Sequence, residues 1–157
     1  MTDYSRGNYP SLPSGVTDLE TNYDATDVTN VATDNDADRV GQLASGEYAI
    51  HQFKQTVTGT SVDITWNGQS DLAPSTSPVV LQVYKVAATA GWVELARNSS
   101  TAADTDSDLK YTLSAGSTPA LADCLAAGVM TCRVWQNYTG GDETYFEQDY
   151  FESGYFT

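Results

Sequence analysis

From Gly46 onward the chain repeats a strand-turn-strand pattern, and that pattern confines it to an all-β fold. Residues 61–67, SVDITWN, give the cleanest case. Val62, Ile64 and Trp66 fall on one side and Asp63, Thr65 and Asn67 on the other, the two-residue period of a pleated strand with one buried face. Further strand segments are 47–58 (EYAIHQFKQTVT), 79–86 (VVLQVYKV), 92–98 (WVELARN), 108–114 (DLKYTLS), 129–138 (VMTCRVWQNY) and 143–151 (ETYFEQDYF). The turn signals Gly59-Thr60, Asn67-Gly68, Ala90-Gly91 and Gly140-Gly141 punctuate them. About seven strands at this spacing predict an antiparallel β-sandwich, jelly-roll or Ig-like. Residues 120–127, ALADCLAA, lie between Pro119 and Gly128 and are the one short helix expected.

Residues 1–45 lack any such period. Val16, Leu19, Val28, Val31, Val40 and Leu43 stand singly among Asp, Thr, Asn, Ser and Pro. So sparse an apolar content does not offset the entropy of ordering. The segment is expected to be an extended acidic arm, sheltered on another copy or a partner, ahead of a sandwich domain at 46–157 with an aromatic tail. In that tail Tyr145 and Phe146, Tyr150 and Phe151, and Tyr155 and Phe156 come in pairs with acids between them. An adjacent pair cannot share one face of a strand, so aromatic burial on two sides is expected, one of them against a neighbour. Val28, Val31, Trp92, Trp135 and the six tail aromatics are the expected interface residues.

The 21 acidic residues against 7 basic ones leave a net charge of -14. Such a surface repels phosphate backbones and anionic headgroups, which excludes nucleic acid and membrane as expected partners. The N-terminal MTDYSRGNYPSLPSG has no apolar stretch of the signal-peptide kind. A virion or extracellular location reached without a signal peptide is therefore expected.

Candidate chemistry is thin. Asp34, Asp36 and Asp38, and again Asp104, Asp106 and Asp108, alternate as calcium ligands can. The glycine and the bidentate glutamate of a calcium loop are missing: Arg39 and Ser45 hold those places in the first run, Leu109 and Ala115 in the second. No metal and no cofactor is expected. His51 is the sole histidine and sits within a strand pattern, where packing explains it. No nucleophile elbow, phosphate loop or zinc-protease helix is present. Cys124 and Cys132 suit two small buried hydrophobes, with a bridge geometrically open. Trp92 is out of phase with Val93 and Leu95, and Trp135 with Cys132 and Val134. The two tryptophans either cover the second face of a sheet, packed by the arm or the tail, or, joined by Tyr84 and Tyr138 on one exposed face, make a protein interface or a stacking platform for sugar rings.

Trp66-Asn67-Gly68, the loop Leu72-Ala73-Pro74-Ser75-Thr76-Ser77, the strand Val80-Leu81-Gln82-Val83-Tyr84, Trp92 with Glu94, and Thr131-Cys132-Arg133-Val134-Trp135-Gln136 together resemble β-sandwich modules of bacteriophage structural and bacterial surface proteins. The resemblance covers roughly half the chain and implies a virion or extracellular setting without an attached activity. The function expected is thus a non-enzymatic structural subunit. It would be a virion surface or decoration protein of a bacteriophage, or an extracellular filament subunit, forming a homo-oligomer or binding other proteins of the same particle. The alternative, from a different class, is a carbohydrate-binding or adhesion module with a glycan partner.

Overall fold

A computed structural model describes residues 2–32, 39–138 and 144–156, the last stretch in its backbone only. The chain forms an antiparallel β-sandwich. One sheet runs in the order β2 (Thr21–Asn22), β1 (Thr2–Tyr9), β4 (Tyr48–Thr56), β10 (Val129–Asn137), β6 (Val79–Lys85) and β7 (Gly91–Asn98), with β9 (Leu125–Ala126) also on β10. The other runs β3 (Val40–Ala44), β11 (Thr144–Phe156), β5 (Ser61–Ser70) and β8 (Ser107–Ser114). All seven strand segments expected from the sequence are strands.

The core lies between the sheets and follows the period-two pattern. Val62, Ile64 and Trp66 of β5 are fully buried, and in register with them stand Leu113, Tyr111 and Leu109 of β8. The facing sheet contributes Ala49 and Phe53 of β4, Met130, Cys132 and Val134 of β10, and Leu81 and Val83 of β6. The Gln136 amide enters this interior and is engaged. Gln136 donates from Nε2 to the carbonyls of Leu72 (2.9 Å) and Ser77 (2.8 Å) and accepts from the Ser70 hydroxyl at 2.5 Å, as buried amides require.

The N-terminal segment is extended, and its shelter is its own domain. Strand β1 pairs with β4 along its whole length, from Thr2 opposite Gln55 to Tyr9 opposite Tyr48. Strand β3 pairs with β11 in the other sheet. Between them a single helical turn, α1 (Ala25–Asn30), starts from a capping box in which Asp24 accepts from the amides of Thr26 and Asp27. Arg6 donates from Nη1 to the Gly41 carbonyl at 2.9 Å and so links the sheets through two parts of this one segment. Val31 and Val40 enter the common core, and Leu19 is buried over β1, where its amide donates to Ser5 Oγ at 3.0 Å. The expectation that these apolar residues look to another copy is corrected here. Individually sparse, they suffice because the sandwich leaves an open strand edge at β4 and open core positions for them to fill. Val31, expected at an intermolecular interface, is taken up inside; Val28 remains exposed.

Two local expectations also change. Residues 120–127 are not a helix of two turns: only Leu121–Cys124 wind, as a 3-10 turn, and Leu125–Ala126 then pair with Val129 and Met130. Ala127 and Gly128 both have positive φ, 50° and 79°, the tight-hairpin geometry that accepts glycine readily. Gly128 therefore turns a hairpin rather than ending a helix.

With this packing, Trp66→Ala lowers stability by roughly 3–5 kcal/mol and Val31→Ala by about 1–3 kcal/mol. Chemical denaturation of both variants checks it. An unchanged midpoint for Val31→Ala would return the segment to a dangling arm.

Candidate functional site

Strand alternation gives the larger sheet a second face, turned away from the core. Register places its residues in rows. Trp92 of β7 stands opposite Tyr84 of β6; Glu94 opposite Gln82, which is opposite Arg133 of β10, which is opposite Gln52 of β4. In the next row Val80, Trp135, Ile50 and Gly7 of β1 follow one another, and at the end Tyr48 stands opposite Tyr9. Two tryptophans and three tyrosines, all half-buried, thus share one face. Four residues of strand rise and two interstrand steps separate the Cα atoms of Trp92 and Trp135, on the order of 16 Å.

The rings interlock in pairs. Tyr84 meets Trp92 edge-on with centroids 5.3 Å apart, and Tyr48 meets Trp135 likewise at 5.4 Å, the geometry the ring quadrupole favours. Between the pairs lies Arg133, only 3% exposed. Its guanidinium carbon sits 4.0 Å from the Trp92 ring centroid, a cation–π contact. Its Nε donates to Gln82 Oε1 at 2.8 Å and its Nη1 to the Pro13 carbonyl at 2.7 Å. Gln82 Oε1 also accepts from Trp135 Nε1 at 3.0 Å. Burial draws the Arg133 pKa down to about 10, and the side chain remains a cation at neutral pH.

Part of this face is walled by the N-terminal segment. Gln52 Nε2 donates to the Thr17 carbonyl at 3.0 Å and Lys54 pairs with Asp18 at 2.5 Å. Tyr9, Pro13, Gly15, Thr17, Asp18 and Leu19 line a pocket of ≈260 Å³ there. Gly7 permits this wall, since a Cβ on it would come within 2.9 Å of the Tyr9 ring. The Tyr9 hydroxyl accepts from the Glu20 amide at 3.0 Å. At the other margin Glu94 accepts two hydrogen bonds from Arg97, at 2.7 and 2.6 Å, which hold its carboxyl below the usual carboxylate range.

Of the aromatics singled out from the sequence, Trp92, Trp135 and Tyr84 meet on this face. Tyr138 does not: it is buried in the core, its amide donating to the Glu47 carbonyl at 2.9 Å. The side chains of Tyr145, Phe146, Tyr150, Phe151, Tyr155 and Phe156 lie outside the described residues, as do Asp34, Asp36 and Asp38. Asp106 and Asp108 are engaged by side chains of the chain itself. Both accept from Asn67 Nδ2, at 3.1 and 2.7 Å, Asp106 lies 3.5 Å from Arg39, and Asp108 lies 2.7 Å from Lys110. Asp104 anchors its loop through its amide, 2.8 Å from the Ser70 carbonyl. His51 is buried, with Nδ1 2.5 Å from the Tyr23 hydroxyl, and Tyr23 stacks on Tyr4. This trio fastens α1 and β1 to β4.

Sequence reasoning missed Arg133, Gln82, Tyr48 and Tyr9. Arg133 and Gln82 do carry a signal, since each shares the phase of a tryptophan or tyrosine two residues away. Tyr48 and Tyr9 join the face only through the pairing of β1 and β4.

No family model matches the chain, and no curated protein matches its sequence. Solved structures of similar fold include chitosan-binding module 1 of a chitosanase/glucanase from Paenibacillus sp. IK-5, with 14% identity over 82% of this chain and 86% of that one, at a TM-score of 0.45. A family 16 carbohydrate-binding module shares 17% identity over 71% and 74%, at 0.42. TmCBM61 in complex with β-1,4-galactotriose shares 10% over 74% and 69%, at 0.39. Likenesses of this depth concern the fold alone. The sheets of this chain bear out the β-sandwich that the sequence resemblance implied; nothing supports its phage and bacterial-surface setting.

Both cysteines are free and buried. Burial pushes the Cys124 thiol up to about 11 and that of Cys132 well above its ordinary value, so little reactive thiolate exists near neutrality. Ellman's reagent at pH 8 is expected to find neither thiol in the native protein and both after denaturation. Rapid titration of a native thiol would contradict the packing around β10.

Proposed function

We propose that the protein is a non-catalytic glycan-binding module whose site is the aromatic face of the larger sheet. One observation carries the reading: Trp92 and Trp135 stand half-buried on the same outward face, each steadied by a tyrosine edge, with the half-buried Gln82 amide between them. Sugar rings present apolar C–H faces that stack on aromatic rings, and hydroxyls that pair with such an amide. A separation of the order of 16 Å between the tryptophans suits several consecutive sugar units better than one.

The chemistry of the face argues for binding over turnover. Glu94, the carboxylate in register with Gln82, is ion-paired and acidic, the opposite of a group tuned to give up a proton near neutrality. The assembly reading has lost part of its footing, because Leu19, Val31 and Val40 of the N-terminal segment are buried within the chain, while Val28 and Leu43 stay exposed.

Native gels containing soluble mixed-linkage β-glucan, xylan, galactan or chitosan test the proposal. At least one polysaccharide is expected to retard the wild-type protein and to shift its tryptophan fluorescence. Trp92→Ala and Trp135→Ala should each weaken the binding by about tenfold or more, as loss of a central aromatic anchor does. No retardation and no fluorescence change on any of the four would refute the reading.

A further inference from the structure

The N-terminal segment and the two tryptophans meet in a single side chain. Trp92 Nε1 is buried and has no acceptor among the described residues, so its ring is oriented by the Tyr84 edge and the Arg133 guanidinium rather than by a hydrogen bond of its own. Trp135 is fixed through Gln82 Oε1, the same oxygen that receives Arg133 Nε. Arg133 Nη1 then reaches Pro13 of the wall, 120 residues away in the chain. A buried guanidinium is costly to desolvate, and leucine or valine would satisfy the strand equally well. Its planar fork is what lets it stack and donate in two directions at once.

We propose that Arg133, with Gln82, is the positioning residue of this face: it locks both tryptophans and the 10–19 wall into one preformed site, which makes the N-terminal segment a working part of the site. The inference rests on the glycan-binding reading for its consequence in affinity and stands on these contacts for the arrangement itself. Preformed rings spare a ligand the entropy of ordering them. The wall closes one end of the face, and its pocket, with the Thr17 and Asp18 side chains in the lining, offers polar contacts to the last sugar unit of a bound chain.

Arg133→Met, Arg133→Lys and Gln82→Leu test it in the full chain. Each is expected to weaken the near-ultraviolet circular dichroism of the tryptophans. Each should also speed thermolysin cleavage before Val16 by about tenfold, since a hydrogen bond to a charged group anchors the wall. Binding of whichever of the four polysaccharides retards the wild type should fall by about tenfold. Lysine is not expected to rescue, because it keeps the charge but neither the stack nor the fork. Val134→Ala, next in the chain but facing the core, controls for general weakening: it should lower the melting temperature and leave the tryptophan bands and the cleavage before Val16 unchanged. Should Arg133→Met fail to fold, Gln82→Leu carries the same expectation. Wild-type tryptophan bands and cleavage rate in Gln82→Leu or a folded Arg133 variant would overturn the inference, as would unchanged affinity where the wild type binds. A wild type that no polysaccharide retards overturns the glycan reading, while the spectra and proteolysis still decide the positioning role.

Discussion

Strand β10 lies between β4 and β6, and its alternation supplies both faces of the larger sheet. Met130, Cys132, Val134 and Gln136 point into the core, while Thr131, Arg133 and Trp135 point out. Because the period is two, a slip of one residue in its pairing would carry the arginine into the core and the apolar side chains to the outside. Register is therefore pinned strongly by burial on the inner side. The outer face inherits that precision and adds buried apolar area of its own at Ile50 and Val80. A binding surface built this way sits on a rigid element, so its rings stay placed to within small tolerances.

The same dependence explains the N-terminal segment. Strand β4 has β10 on one side and would otherwise present an unpaired edge on the other, a liability in any sheet. Strand β1 fills that edge in register over eight residue pairs. Its stability comes chiefly from main-chain hydrogen bonds and from a few deep contacts, such as Leu19 over Ser5 and Tyr23 between Tyr4 and His51. None of these is visible as periodicity. Sequence patterning detects strands that own a hydrophobic face; β1, with TDYSRGNY, owns none and borrows its burial from neighbours. That is why the sandwich strands were legible and this one was not. The capped turn at Ala25–Asn30 was hidden for a similar reason, since Asp24-x-x-Asp27 is a weak signal among so many aspartates.

The site was legible in half. Phase along a single strand puts Trp135 opposite Val134, and Trp92 opposite Val93, so their outward direction could be derived from the sequence. Their being on one face of one sheet could not, because β7 reaches β10 only through β6, and strand order is a long-range choice. Tyr138 shows a misread phase: it keeps step with Cys132, Val134 and Gln136, so alternation itself sends it to the core, away from Trp135. Arg133 shows the limit of phase. As a charged residue in a buried strand it looks like a solvent-facing position, and only the structure reveals a side chain that is covered, stacked and spoken for at two of its nitrogens.

Charge distribution ties these observations together. The chain holds 21 acids and 7 bases, yet the strands of the outer face and the segment 10–19 laid across them carry Asp3, Asp18 and Glu94 against Lys54, Arg97 and Arg133. Three of the chain's seven cations are gathered on this aromatic face, and two of the three acids there are ion-paired. At an ionic strength near 0.15 M the repulsion of the remaining carboxylates fades within about 8 Å. The aromatic face is thus close to neutral on a chain whose overall charge is strongly negative.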